Sequence, residues 1–168
     1  MNTLQNTFWS SLIAAGPMTL AMMNLYDRLS PSRKSPLPPA TLLEQTLQKT
    51  NLPSPSTPER KTDLTMLSHF AYGFAAALLY SGLRHALPRV SPTVRGGLFG
   101  LGVWGVGYMG WIPAFGFRAS AYRTPPSRNG LMILAHVVWG MSLGSAEDKF
   151  RREGEAMWDG QRKAPLAE

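Results

Sequence analysis

Four stretches of this chain contain no Asp, Glu, Lys or Arg: residues 1–26, 64–83, 96–117 and 129–146. A chain of 168 residues with so many long uncharged blocks points to the bilayer, because an ordinary soluble domain interrupts its apolar runs with charge. Charged residues make up only 16% of the sequence, against roughly 25% in soluble proteins, and they crowd into the gaps. The mean hydropathy of −0.11 averages the two populations and conceals both. Each block approaches the roughly 20 residues that cross about 30 Å of hydrocarbon as a helix. The expected fold is therefore all-α: a single membrane domain over residues 1–168, built as a four-helix bundle. Its spans fall at about 8–26, 64–83, 97–116 and 130–146, with a polar Pro-rich loop at 27–63 and a polar tail at 147–168.

The net charge of +7 raises nucleic acid as a partner, but the basic residues do not gather into one patch. Arg28, Arg33 and Lys34, Arg84, Arg89 and Arg95, and Lys149, Arg151 and Arg152 all flank uncharged blocks. That is the placement of juxtamembrane anchors meeting anionic head groups, so lipid rather than nucleic acid is the expected partner. The chain has no cysteine, which removes disulfides, thiolate chemistry and cysteine-ligated metals.

The first block reads as a retained span rather than a cleaved signal. Its first seven residues carry no Lys or Arg, and Trp9 and Tyr26 sit near its ends like interfacial anchors. Pro17 after Gly16 predicts a kink there. Seven of the 14 prolines fall between Asp27 and Asp63, which predicts extended or irregular chain. Pro39–Lys49 is the exception. Leu42, Leu43 and Leu47 recur at helical spacing, and Thr41 with Glu44 has the form of a capping box. A short amphipathic helix lying on the membrane surface or docking a partner is expected.

The second and fourth blocks echo one another. His69-Phe-Ala-Tyr72-Gly73 and His136-Val-Val-Trp139-Gly140 both read H-x-x-aromatic-G. Spans of the same parity run in the same direction, so both histidines should lie at similar depth and face the bundle interior. His69, Tyr72, His136 and Trp139 are the candidate ligand-contacting or proton-handling residues, since polar groups within hydrocarbon mark function by default. The plainer expectation is interhelical glue, each imidazole bonding a neighbouring helix. Two imidazoles with no carboxylate at their depth fall short of a metal site, and no cofactor is expected. In the third block, Gly96, Gly100, Gly107 and Gly110 share one face at 100° per residue, and with Gly73 and Gly140 they are the candidate close-packing positions.

Gly140-Met-Ser142-Leu-Gly144 matches G-x-S-x-G, but that motif needs a strand-to-helix turn and here lies inside an apolar helix. No catalytic residue is assigned. The segments AAGPMTLAMM, SHFAYGFAAALLYSGL, GLFGLGVWGVGYMGWIPAFGF and AHVVWGMSLG together resemble the YagU-like family of small bacterial inner-membrane proteins. The resemblance implies a multi-pass helical protein of the bacterial inner membrane and no particular activity. The expected function is a non-catalytic anchor, assembly or accessory subunit for a larger membrane partner or for self-association. The alternative is a small transporter or channel, which could be oligomeric, using the His69/His136 layer. The connections 27–63 and 118–128 carry nine Lys/Arg against eight elsewhere, and the contrast across the first span tips both connections towards the cytoplasm.

Overall fold

The computed structural model describes residues 3–28, 38–86, 88–117 and 125–163, and every regular element among them is helical. Parts of the expected loop (29–37), of the third connection (118–124) and of the tail (164–168) lie outside the described residues. The order is α1 (Thr3–Asp27), α2 (Pro38–Lys49), α3 (Pro58–Leu83) with a closing 3₁₀ turn (Arg84–Ala86), and α4 (Pro92–Gly105). A π-helical turn (Val106–Trp111), a short α5 (Ile112–Ala114) and α6 (Pro126–Lys163) follow. α6 is the spine: α4 and α1 pack along it, α3 packs on α1, and α2 lies against α3.

Local chemistry sets the boundaries. Thr57 and Ser91 cap α3 and α4 through the backbone N–H of Arg60 and Val94, and Pro58 and Pro92 occupy the first turn, where a missing N–H costs nothing. α2 ends with Asn51 in the left-handed region (φ 53°). Leu52 N–H returns to Leu47 O at 2.9 Å, and Asn51 N–H to Gln48 O at 3.3 Å. α5 ends the same way at Gly116 (φ 68°), with Phe117 N–H on Ile112 O and Gly116 N–H on Pro113 O, both at 3.0 Å. Both are Schellman closures, which satisfy carbonyls a helix end leaves open.

Three expectations are corrected. The capping box does not form, because α2 begins at Pro38 and Thr41 already lies within its first turns. The helix expected at Pro39–Lys49 forms as α2, but the polar loop does not reach residue 63, because α3 already begins at Pro58. The polar segment after residue 146 is a continuation of α6 to Lys163 rather than a tail, supported by ion pairs of Asp148 with Arg151 (3.1 Å) and Arg152 (2.8 Å). α1 runs through Pro17 as one helix.

The main core joins Ala14 and Met18 of α1, Ala77 and Tyr80 of α3, and Ala135, Trp139 and Leu143 of α6. A second cluster, Trp104, Leu131 and Met132, is flanked by Met22 and Leu25. α4 and α6 meet at glycines. A Cβ on Gly96 would overlap the Gly140 carbonyl, one on Gly100 the His136 carbonyl, and one on Gly144 the Pro92 carbonyl. The two G-x-x-x-G faces therefore cross backbone to backbone. Gly107 and Gly73 have only ordinary surroundings, and a Cβ on Gly110 would meet nothing within 4 Å. Those three are not close-packing positions. The π turn explains the loss for Gly110: its extra residue per turn accumulates from Val106 onward and rotates Gly110 off the Gly96/Gly100 face.

Among the described residues, one helical stretch, Pro58–Ala86, is long and apolar enough by length and composition to cross a membrane.

Candidate functional site

Beside the main core lies a cavity of about 280 Å³, close to the lower end of the roughly 300–1,000 Å³ typical of small-molecule sites. His69, Tyr72, His136 and Trp139, drawn from two separate helices, all line it. The helices bring the four residues of the two H-x-x-aromatic-G stripes to one wall. Trp139 is 5% exposed at the inner wall, while Tyr72, 43% exposed, stands at the outer rim. The Tyr72 and Trp111 rings lie 6.1 Å apart, and Tyr108 meets the His136 ring edge-on at 6.0 Å.

The remaining walls are mostly apolar. Met18 and Met22 come from α1, Val103 from α4, and Ile112 from α5. The roof is α2, whose Leu42 and Leu43 enter the lining while Leu43 and Leu47 are buried. α2 is held down by Lys61–Glu44 at 3.2 Å and by the Lys49 ammonium 5.5 Å above the Phe117 ring. So the amphipathic segment of the Pro-rich insertion packs on its own protein.

His136 does not act as interhelical glue. Its Nδ1 lies 2.8 Å from the Met132 carbonyl one turn back on its own helix. A carbonyl only accepts, so Nδ1 carries the proton and, in the neutral ring, Nε2 remains as an acceptor. His69 makes no side-chain hydrogen bond among the described residues. Two imidazoles, the Ser11 and Ser68 hydroxyls and Tyr72 are thus a few polar points in an apolar chamber. That arrangement suits a compact, mainly apolar molecule oriented by one or two hydrogen bonds. No group of three His, Asp or Glu among the described residues is placed to hold a metal. Ser142 lies within α6, away from any strand-to-helix elbow.

Two lining residues, Tyr108 and Trp111, carry no signal in the sequence pattern. They reach the cavity because the π turn re-aims them, and no periodicity signals that. Outside this cavity, the sequence pattern also gives no sign of the burial of Glu147, the first charged residue after the fourth block. It is 2% exposed and ion-paired to Arg84 at 3.3 Å. Arg84 is likewise the first charged residue after its own block.

Among the described residues the molecule is thus an all-helical bundle with a cleft lined by aromatic and histidine side chains. The match of residues 19–145 to the family described as protein of unknown function DUF1440 covers most of the chain, and the protein belongs to that family. No curated protein and no solved structure matches it.

Proposed function

We propose that this is a multi-pass protein of the bacterial inner membrane that holds a small, mainly apolar molecule in the His69/His136 cavity. The observation that carries the ligand reading is the convergence of His69, Tyr72, His136 and Trp139, from two distant segments, on one chamber that is otherwise apolar. Of the two functions the sequence raises, this supports the transporter-like one over the accessory subunit, which has no comparable feature in its favour.

The membrane reading rests on an inverted polarity. Outward positions hold large apolar side chains, with Leu20 62%, Leu79 58% and Leu98 51% exposed. Inward positions of α1 hold Asn6, Thr7, Ser10 and Ser11, all buried. A water-soluble bundle sorts the other way, whereas hydrocarbon favours apolar exteriors and leaves polar groups to the interior. On this reading α1, α3, the α4–π–α5 segment and the first half of α6 are the four crossings, and the YagU-like resemblance supports the location. The protein is non-catalytic on this proposal.

Native mass spectrometry of the protein extracted in lipid nanodiscs tests it. The expected result is one retained small molecule per chain, lost when His69→Ala and His136→Ala are combined. A wild-type protein that carries nothing but bulk lipid would refute the ligand reading.

A further inference from the structure

A second cavity, about 360 Å³, opens at the other half of the bundle, where α3 ends and α4 begins. Tyr80, Arg84, His85, Arg95 and Glu147 line its wall, with Asp148, Arg151 and Arg152 along α6. The buried face of α1 packs along α6, which contributes to the walls of both cavities. Ser11 borders the His69/His136 cavity, while Thr7 and Ser10 are completely buried. Asn6 Oδ1, Thr7 Oγ1, Ser10 Oγ and Glu147 Oε2 are buried and have no hydrogen-bond partner among the described residues.

The register of α1 against α6 puts these groups at one level. Met22 and Leu25 pack with Leu131 and Met132, and Ala14 and Met18 with Ala135, Trp139 and Leu143. The helices therefore run antiparallel. One turn before Ala14 lies Ser10, and one turn beyond Leu143 lies Glu147. From Ser11 to Thr7 is again one turn, about 6 Å. Hydroxyls in a helix commonly bond back to their own backbone, as the outward-facing Thr19 does to the Ala15 carbonyl at 2.8 Å. Thr7 and Ser10 do not. A buried polar group without a partner is unfavourable unless water completes it, and a row of such groups is a place for an ordered water chain.

We propose that Glu147, Thr7, Ser10 and Ser11 form a proton route joining the two cavities, with Glu147 as its protonatable station. Arg84 Nη1 holds Glu147 Oε1 at 3.3 Å, and Asp148 is engaged by Arg151 and Arg152. Oε2 is then the carboxylate oxygen available to carry a proton. A proton arriving from water in the Arg84 cavity forms the Oε2–H bond. That bond breaks as the proton passes to a water held by Thr7 and Ser10, whose hydroxyls accept on one side and donate on the other. The proton leaves past Ser11 into the His69/His136 cavity. Glu147 returns to its carboxylate form and its pairing with Arg84, so no co-reactant is consumed. The charged and titratable groups on the same wall as Glu147 are the Arg84, Arg95, Arg151 and Arg152 guanidinium groups, Asp148, Tyr80 and His85.

The proposal rests on the membrane reading but not on the identity of any ligand. The test uses the full chain in liposomes loaded with a pH-sensitive dye, with an inward proton gradient and valinomycin-clamped potassium. Wild type should acidify the lumen severalfold faster than protein-free vesicles, and Thr19→Ala, altering an outward hydroxyl, should match it. Glu147→Gln should fall to the protein-free rate. Thr7→Val, which keeps shape and charge while removing the hydroxyl, should fall most of the way and guards against misfolding of the Glu147 variant. Wild type at the protein-free rate, or Thr7→Val at the wild-type rate, would overturn the route. A protein that fails to float with the vesicles on a density gradient would overturn the membrane reading and the route together.

Discussion

Replacing Gly100 by alanine adds one methyl group and should nonetheless disrupt the bundle. The new Cβ would overlap the His136 carbonyl oxygen and stand 3.0 Å from the carbonyl carbon and 3.2 Å from Gly140 Cα. These are backbone atoms and cannot rotate away. The α4 and α6 axes must separate by about 1 Å to restore contact, and a gap of that size forfeits roughly a quarter to a half of each contact's attraction. Overpacking of this kind costs about 1–3 kcal/mol. Because Gly96 and Gly140 share the crossing, the upper half of that range is expected. At roughly 2–4 °C per kcal/mol for a chain of this size, thermal melting in mild detergent should fall by about 4–12 °C. Gly107→Ala is the internal control: its Cβ would lie 3.7 Å from Ile112 Cδ1, an ordinary contact, and melting should be nearly unchanged. Equal melting of the Gly100 and Gly107 variants would refute the backbone-to-backbone crossing.

Three further outcomes follow from the same structure. Arg84→Ala leaves the Glu147 carboxylate buried without its partner and should cost about 3–5 kcal/mol, recovered in part by adding Glu147→Gln, as read by detergent denaturation. Leu47→Ala removes a buried contact that seats α2, so it should cost about 2–5 kcal/mol and expose the 38–49 segment to limited proteolysis; unchanged cleavage would mean that α2 does not depend on that contact. Reporter fusions should place the N-terminus and the residue-146 end of the last crossing on the same side of the membrane, and opposite sides would refute four crossings.

How much of this was legible in the sequence depends on what each inference needed. The His69/His136 echo was readable because an H-x-x-aromatic-G stripe fixes which side chains share a helix face, and parity fixes direction. Gly96, Gly100 and Gly140 were readable for the same reason. Gly110 is not legible because a constant 100° per residue assumes α-helical register, and the π turn at Val106–Trp111 breaks it. Pro113 contributes to that break by withholding an N–H from the preceding turn. The helical extension of α6 is hidden because a charged residue ordinarily ends a span, whereas Glu147 Oε1 pairs with Arg84 across 63 positions of sequence. No local pattern announces such a pair. The seating of α2 was half legible: Leu42, Leu43 and Leu47 declared an apolar face, but only the folded chain shows that this face meets the cavity.

A ligand-sized chamber between the two histidine-bearing helices carries the proposed function, and filling that chamber tests it most directly. Gly73 lines it, and a Cβ there would meet only the Ser11 hydroxyl at 3.9 Å, so Gly73→Leu should occupy the space without disturbing the backbone. Gly82 has open surroundings on the same helix and is not part of the lining, so Gly82→Leu is the matched control. Native mass spectrometry of both variants from lipid nanodiscs should show the retained molecule lost from Gly73→Leu and kept by Gly82→Leu, with both proteins folded by circular dichroism. Retention by a folded Gly73→Leu protein at the wild-type level would contradict the assignment of the cavity as the binding site.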